Sequence, residues 1–490
     1  MSLTSQLPIL IPAPLLVASL AVPVVWWFWR RTAYMVVLAA VAASLVASIS
    51  ALAHVVRTGE ALAYELGGWA PPVGIAYVVD HVAAYVAVVV TGVAMVVLVA
   101  TRRWVTSDAA TREGPFYALC LLLLTGLTGI VVTADLFNVF VFLEIASLSA
   151  YSLVFQGGER AMVAAFRYLI MGTIGGTFYL LGVGFIYFAT GTLNMADAHE
   201  IMTQIGDSRT MQAAAVFIFT GIGLKMALVP LHSWLPDAYT NAPSSVNSLM
   251  APLMTKVMAY VMVRMFLSVF PAGYLTDVLP VADVLVVAGL VGMAYGGGTA
   301  IGQRDVRRML AYSSIGQLGM IAVGIGLGTP LAMAAALLHV ANHAVMKATL
   351  FLGAASVRYV TGSSRIADFA GLGRRMPFTM AGFTLAALAM VGIPPAAGFF
   401  SKWYLVQAGL ERGAWAVVVV VLASSLLSAT YIFRILEQAY LHPMPEEGPG
   451  NTARRAPRQL WVPVLLMGIA TLVLGLANAA ILTHVLEPGL

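Results

Sequence analysis

The sequence predicts an all-α polytopic membrane protein, and composition is the first reason. Hydrophobic residues make up 60% of the 490 residues, charged residues make up 10%, and the mean hydropathy is +0.91. Soluble domains carry about 25% charged residues. Apolar runs of about 20 residues, long enough to cross a bilayer as helices, recur along the whole chain. The loops between these runs are too short to hold a soluble catalytic domain.

The apolar runs predict about fourteen transmembrane helices. The first run lacks the basic flank of a signal peptide and is too long for one, so we expect it to be retained. The predicted spans lie near 7–28, 33–53, 74–100, 115–133, 136–156, 164–190, 211–231, 243–268, 275–298, 309–329, 331–357, 378–407, 413–440 and 459–483.

Two of these spans contain prolines that predict broken helices. Pro230 interrupts the seventh span, and Pro394-Pro395 interrupts the twelfth. Proline removes a helical hydrogen bond, which the membrane tolerates only where protein or water satisfies the freed carbonyl. Interrupted segments at corresponding positions of two halves are typical of a transport pathway.

The spacing of the two breaks predicts an internal repeat. Spans 4 to 8 and spans 9 to 13 each form a set of five with the break in the fourth member. Because five is odd, consecutive sets must face opposite ways, which makes the repeat inverted. The predicted organisation is an N-terminal three-helix segment (1–110), two five-helix repeats (111–270 and 271–442), and a C-terminal loop with the last helix (443–490).

The distribution of arginine predicts the orientation. With both termini outside, eighteen arginines fall in inner loops and only Arg57, Arg209 and Arg412 fall in outer loops. This asymmetry favours the cytoplasmic membrane with both termini on the non-cytoplasmic side. The same scatter of basic residues over short loops accounts for the net charge of +5 without a nucleic-acid partner. The single cysteine excludes a disulfide framework or a cysteine-ligated cluster.

Lysine is distributed in the opposite way from arginine. The sequence has twenty-two arginines and four lysines, and all four lysines (Lys225, Lys256, Lys347 and Lys402) fall inside predicted spans. Arginine anchors topology but stays charged, whereas a buried lysine can release its proton. Structural ion pairs and snorkelling are the alternative explanations. Ionisable residues at membrane depth are functional-site candidates by default, and only Arg264 among the arginines lies within a span.

Glu144 is the acid closest to the middle of a predicted span, whereas Asp80 and Asp283 lie nearer span ends. A carboxylate at that depth is the natural counter-charge for a lysine, because the pair can be charged together or separated and neutral. The sequence alone does not show which lysine Glu144 contacts.

The segment HVANHAVMKATLF (339–351) places His339, His343 and Lys347 four residues apart, on one helix face. A zinc site is disfavoured because Val340 stands where a zinc-protease helix has glutamate, and no third ligand is evident. Helix-packing histidines and a titratable relay both remain, and we favour the relay because histidine changes charge near neutral pH. We predict no metal and no cofactor.

Four motifs identify a family resemblance that covers nearly the whole chain. They are DLFNVFVFLEIASLSAY, GLKMALVPLHSWLPDAYTNAPSSVNSLMAPLMTKV, HVANHAVMKATLF and GIPPAAGFFSK. Together they resemble the proton-conducting antiporter-like subunits shared by Mrp-type cation/proton antiporters, respiratory complex I and membrane-bound hydrogenases. The stretch GTIGGTFYLLGVGFIYFATGTLNMADA (172–198) looks most like the D-type subunits of Mrp antiporters.

The resemblance implies a proton relay through the membrane part of the chain. Glu144 and Lys225 match the coupling pair of that family, and we expect His232 and Asp237, after the first break, to assist water entry. The implied relay consists of Glu144, Lys225, Lys256, His339, His343, Lys347 and Lys402.

The resemblance leaves three functions open. The leading hypothesis is a proton-translocating subunit of a multisubunit Mrp-type antiporter that exchanges protons for sodium or another monovalent cation. The alternative is a pumping subunit of a complex I-like or hydrogenase-like redox machine. A coupling or scaffold subunit, paired with a soluble partner for inorganic carbon uptake, is the third. All three predict a bilayer environment and other subunits as partners.

Overall fold

A computed structural model describes residues 4–108, 113–444 and 456–490, and these residues form a mostly helical polytopic protein. The predicted boundary at 110/111 and the inner-loop residues Arg112, Arg454 and Arg455 lie outside the described residues.

The N-terminal segment consists of helices and one small hairpin. Its helices are α1 (Leu7–Leu10), α2 (Ala13–Phe28), α3 (Arg30–Thr58) and α4 (His81–Asp108), and α1 and α2 form a pair bent by 46°. Between α3 and α4, strand β1 (Leu62–Glu65) pairs antiparallel with β2 (Ala76–Val79).

The hairpin corrects the predicted third span, which begins at His81 and not at residue 74. The β-branched residues Ile75, Val78 and Val79 favour extended backbone, and Pro71-Pro72 before them disfavours helix. Hydropathy alone could not distinguish this apolar strand from the first turns of the helix.

Seven helices follow from residue 113. They are α5 (Glu113–Val132), α6 (Leu136–Phe155), α7 (Glu159–Thr190), α8 (Met195–Ile205), α9 (Arg209–Met226), α10 (Trp234–Asn241) and α11 (Ser244–Arg264). The short helix α8 lies in what the sequence predicted to be a loop, and Asn194 caps it by accepting hydrogen bonds from the backbone of Ala196 and Asp197.

The remaining helices repeat much of this pattern. They are α12 (Val281–Ile301), α13 (Val306–Gly326), α14 (Pro330–Thr361), α15 (Leu372–Arg375), α16 (Pro377–Val391), α17 (Ala397–Glu411), α18 (Trp415–Leu441), α19 (Arg458–Leu476) and α20 (Asn478–Ile481). The apolar stretch of α14 is fully buried, and this helix packs against α11, α13, α16, α17 and α19. It therefore forms the centre of the bundle.

Among the described residues, eleven helices are long and apolar enough to cross a membrane, or twelve if the bent pair α1–α2 is one span. The two predicted spans missing from this set are the seventh and the twelfth. Both are divided in the structure, into α9 and α10 and into α16 and α17. The breaks predicted at Pro230 and Pro394-Pro395 are therefore present as interruptions of helix.

One loop arrangement occurs twice in the chain. In the first junction, Asp135 forms an isolated antiparallel bridge with Asn194; in the second, Asp305 forms the same bridge with Arg365. The aspartates are 170 residues apart and their partners 171 residues apart. Each aspartate caps a helix, α6 or α13, by accepting a hydrogen bond from the backbone amide three residues later.

The hydrogen bonds of the two junctions correspond one to one. Leu136 N donates to Leu193 O (2.8 Å) and Met195 N to Ala134 O (2.9 Å), while Val306 N donates to Ser364 O (2.8 Å) and Ile366 N to Arg304 O (2.9 Å). The helices that lead into the junctions, α7 and α14, both have 32 residues. Both end before a glycine in the left-handed region, Gly191 or Gly362.

Candidate functional site

All four lysines are buried in the helix bundle. Their residues are 6% (Lys225), 2% (Lys256), 0% (Lys347) and 5% (Lys402) exposed. None of them reaches solvent by snorkelling, because a snorkelling lysine would expose its ammonium group. Four ammonium groups away from water would be costly without polar partners, so the partners of each lysine define the site.

Lys225 is the lysine with a carboxylate partner. It lies in the last turns of α9, and its Nζ is 3.5 Å from Glu144 Oε1 of α6. It also donates to Ser147 Oγ at 2.7 Å and to Tyr151 OH at 3.5 Å. Because Glu144, Ser147 and Tyr151 are spaced at helical intervals, one face of α6 surrounds the ammonium group.

Glycines on α7 make room for the two α6 side chains nearest the ion pair. A Cβ on Gly176 would lie 2.4 Å from Glu144 Oε1, and one on Gly172 would lie 1.8 Å from the Tyr151 hydroxyl. The segment MGTIGGT (171–177), which the sequence predicted to serve close packing, therefore shapes the pocket of the carboxylate.

The break after Lys225 begins earlier than the proline. Helix α9 ends at Met226, and Ala227 adopts a left-handed conformation with φ of 60°. The Trp234 indole donates to Leu224 O at 2.9 Å, and its ring stacks on Tyr168 at 4.2 Å. The interrupted backbone thus finds a protein partner at membrane depth.

Lys256 and Lys347 meet only neutral oxygen atoms among the described residues. Lys256 Nζ donates to Ala251 O at 2.7 Å and to Thr255 Oγ1 at 3.3 Å. Lys347 Nζ donates to Leu310 O at 2.7 Å and to Ser313 Oγ. These carbonyl and hydroxyl groups can solvate an ammonium group but do not cancel its charge.

The histidine stripe lies on α14 as predicted, with different surroundings for its two members. The rings of His339 and His343 are nearly parallel, with centroids 5.7 Å apart. His339 is hydrogen-bonded through Nδ1 to Ser401 Oγ (2.9 Å) and through Nε2 to Gln317 Oε1 (3.0 Å). His343 is fully buried, and neither ring nitrogen has a hydrogen-bond partner in the described part of the chain.

Lys402 caps the second broken helix. Its Nζ donates to Met390 O (3.0 Å) and Val391 O (2.9 Å) at the end of α16, and to Ser425 Oγ (3.1 Å). Pro394 and Pro395 cannot donate to the carbonyls four residues earlier, which are those of Met390 and Val391. The lysine thus satisfies the two groups that the prolines leave free, at the negative end of the helix dipole.

His232 and Asp237, which follow the first break, do not contact a lysine in these hydrogen-bond and ion-pair networks. The His232 ring packs edge-on against Tyr295 of α12, with centroids 4.7 Å apart. Asp237 forms ion pairs with Arg167 (3.1 Å) and Arg308 (3.5 Å), so it connects α7 to α13. Both residues join the first half of the bundle to the second.

Sequence reasoning missed a second ion pair within the protein. Arg264 Nη1 and Nη2 contact Asp80 Oδ2 and Oδ1 at 2.6 and 2.5 Å, and Arg264 Nε donates to Tyr260 OH at 2.7 Å. The sequence predicts instead a snorkelling arginine and a solvated aspartate. Burial raises the pKa of Asp80, but the Arg264 guanidinium outweighs it and holds that pKa below its usual range. The available signal was that Arg264 is the one arginine within a span.

Within the described ranges, no three His, Cys, Asp or Glu side chains are grouped so as to hold a metal ion. The chemistry that the site offers is proton transfer between ionisable side chains. Lys225, Lys256, Lys347 and Lys402, with one carboxylate and two histidines, define a class of membrane protein that moves protons.

The chain belongs to the NADH:quinone oxidoreductase/Mrp antiporter transmembrane family, whose model matches residues 133–428. It is 45% identical to NADH-quinone oxidoreductase subunit N of Desulforudis audaxviator, over 99% of this chain and 98% of that protein. It is 31% identical to the D-type subunit of the Na(+)/H(+) antiporter of Alkalihalophilus pseudofirmus, over 91% of this chain and 89% of that protein.

Similarity to a solved structure extends over almost the whole fold. A chain of the membrane-bound sulfane sulfur reductase, an archaeal respiratory membrane complex, matches with a TM-score of 0.90 and 30% identity. The match covers 99% of this chain and 97% of that chain. The predicted family resemblance is confirmed.

Proposed function

We propose that this chain is a proton-translocating subunit of a multisubunit Mrp-type monovalent cation (Na+)/H+ antiporter. The observation that carries the proposal is the buried Lys225–Glu144 pair beside a helix break, in a chain whose other lysines are also buried. Similarity to the D-type subunit of a Na(+)/H(+) antiporter supports the choice of assembly. The partners are other membrane subunits, protons and a monovalent cation.

In the proposed relay, charge moves between neighbouring ionisable groups from Glu144 to Lys402. A proton that reaches Glu144 releases Lys225 from its ion pair, and the freed ammonium group then favours proton transfer onward through Lys256. His343 stands between the two sets of lysines in sequence and has free ring nitrogens with which to accept and pass a proton. His232 and Asp237 would assist water entry near the first break.

The membrane architecture that we propose with this function has fourteen spans in two inverted five-helix repeats, with both termini outside. The recurring junctions at Asp135 and Asp305 support the repeat, since they place one hydrogen-bond pattern at both ends of a 170-residue interval. The units are those expected from the sequence, namely 1–110, 111–270, 271–442 and 443–490.

The test is proton transport in vesicles that contain the purified whole complex, driven by a sodium gradient and followed with a pH-sensitive dye. Lys225→Ala and Glu144→Ala should each abolish most transport while the complex still assembles. Ser152→Ala, an exposed position on the same helix as Glu144, is the matched control and should leave transport unchanged. Wild-type rates in both variants would refute the proposed relay.

A second function is favoured by the 45% identity with a subunit N of an NADH-quinone oxidoreductase over nearly the full length. In that case the chain would be an antiporter-like pumping subunit of a complex I-like or hydrogenase-like redox complex, and the relay would be the same. Purification of the native complex decides between the two assemblies. A flavin- or iron–sulfur-bearing partner supports the redox complex, and an assembly of membrane subunits alone supports the antiporter.

A further inference from the structure

Each of the two junctions borders a cavity, and the two cavities differ in size and charge. The first junction borders a cavity of about 290 Å³, lined in part by Thr133, Ala134, Met195, Asp80 and Arg264. The second borders a cavity of about 700 Å³. The polar lining of this larger cavity consists of Arg304, Asp305, Arg365, Arg434, Glu437 and Gln438.

Arg264 and Arg434 occupy corresponding places at these cavities. They lie 170 residues apart, the same interval that separates the two junction aspartates. Tyr260, the hydrogen-bond partner of Arg264, donates to Val131 O at the end of α5, and Arg434 donates to Ile301 O at the end of α12. Each arginine thus lies beside the helix end that leads into its junction.

The two arginines differ in their anionic partners. Arg264 binds both carboxylate oxygens of Asp80, a residue from the N-terminal segment that precedes α4. Helix α4 packs along α11 and covers it. Arg434 forms no ion pair in the described part of the chain, because Asp305 caps α13 and accepts from Ser364, while Glu437 lies 3.6 Å from His442.

The surroundings of Arg434 are also open. Arg304 and Arg365 are exposed and form no ion pair among the described residues. Leu422, Leu426 and Phe433 project from the uncovered face of α18. The second cavity therefore has the arginine of the first, more than twice its volume, and neither the carboxylate nor the covering helix.

We propose that a transmembrane helix of a partner subunit packs along this face of α18 and places an aspartate or glutamate against Arg434, as α4 places Asp80 against Arg264. Arg304 and Arg365 flank the same carboxylate. The inference rests on the proposed function, because a subunit of a membrane complex has such a neighbour. An anionic lipid is the weaker choice, since the corresponding site within this chain takes a polypeptide carboxylate and a helix together.

The experiment uses the whole complex in native membranes, with the photo-crosslinking residue benzoylphenylalanine at Leu426 of α18. We expect a crosslink to a membrane polypeptide, with the attached peptide containing an aspartate or glutamate. Arg434→Glu should lower the crosslinked yield about tenfold, because it juxtaposes like charges. Arg434→Lys should lower it less. Arg31→Glu, which removes an exposed basic residue elsewhere, should leave the yield unchanged.

Charge exchange completes the test. Substitution of the identified partner carboxylate by arginine should restore crosslinking in the Arg434→Glu complex. A crosslink to phospholipid alone, or a polypeptide crosslink that is insensitive to Arg434→Glu, overturns the inference. If Arg434→Glu does not fold, the double variant Arg304→Gln/Arg365→Gln replaces it, because both side chains are exposed. That variant should lower the yield about threefold, and an unchanged yield overturns the inference equally.

The outcome is separable from that of the proposed function. Transport that depends on Lys225 and Glu144, with a crosslink that ignores Arg434, leaves the proton relay standing and removes this interface. Transport that survives both substitutions removes the relay, while the crosslink still decides the interface.

Discussion

Lys225 and Lys402 both lie beside a helix break, yet the two halves of the bundle hold them in different ways. Lys225 precedes its break and turns away from it, toward the carboxylate of Glu144 on another helix. Lys402 follows its break and turns back to it, donating to the carbonyls of Met390 and Val391. Equivalent positions in a backbone plan thus carry different chemistry.

The difference shows where a charge is balanced. In the first half an ion pair cancels the ammonium charge, whereas Lys256, Lys347 and Lys402 have only carbonyl and hydroxyl oxygens around them. A buried charge costs much more without an opposite charge than with one. The first half is therefore suited to hold and release a charged lysine, and the second half to pass a proton along neutral groups.

The largest effect is expected where the lysine's two roles can be separated, at Lys402. Lys402→Arg keeps a positive donor for the two carbonyls but removes a group that releases its proton. Thermal stability should be retained, and proton transport in vesicles should fall roughly hundredfold. Lys402→Met should lower both stability and transport. Transport in Lys402→Arg within twofold of wild type would mean that the lysine only caps the break.

The next effect concerns the shape of the carboxylate pocket. Gly176→Ala places a methyl group where Glu144 Oε1 now lies, so the carboxylate must move while both charged groups remain. We expect transport to fall roughly tenfold with little change in stability. Gly184→Ala on the same helix is the control, since its Cβ meets nothing within 4 Å. Equal transport in the two variants would contradict the role given to Gly176.

The Asp80–Arg264 pair allows a test by pH outside the relay. Asp80→Asn should lower the free energy of unfolding by about 2 kcal/mol at pH 7, less than for a fully buried pair because Asp80 is partly exposed. The folded-state pKa of Asp80 is lowered. Its contribution is therefore complete above the unfolded pKa near 4 and is lost as the pH falls through the folded value.

The measurement is thermal unfolding of the purified complex between pH 7 and pH 3, with Glu60→Gln as an exposed control. Wild type and Asp80→Asn should differ at pH 7 and approach each other toward pH 3. A constant difference over this range would show that the aspartate stabilises by packing and not by charge.

The smallest effect is expected at Asp237, whose ion pairs with Arg167 and Arg308 are partly exposed. Asp237→Asn should cost less than about 1 kcal/mol of stability, because exposed pairs contribute little. Transport should fall no more than about threefold, and the difference from wild type should shrink as salt screens the pairs. A loss as large as that of Lys225→Ala would place Asp237 within the relay itself.

Much of the site could be predicted from sequence because its chemistry is rare in a membrane. A lysine inside an apolar span stands out, and so do Glu144, the histidine stripe and the paired prolines. The predicted third span failed at its start because Ile75, Val78 and Val79 are apolar in a strand as well as in a helix. Helix α8 was missed because its amphipathic sequence resembles a polar loop.

The sequence by itself determined the membrane class, the family and which ionisable residues enter the bundle, because the cost of burying a charge acts on every residue wherever it packs. Only the tertiary structure decided what each lysine meets. Glu144 and Lys225 are 81 residues apart, and Asp80 and Arg264 are 184 residues apart. Such pairs form through the rotation and depth of packed helices, which glycines such as Gly176 set by letting side chains approach, and local sequence does not encode that geometry.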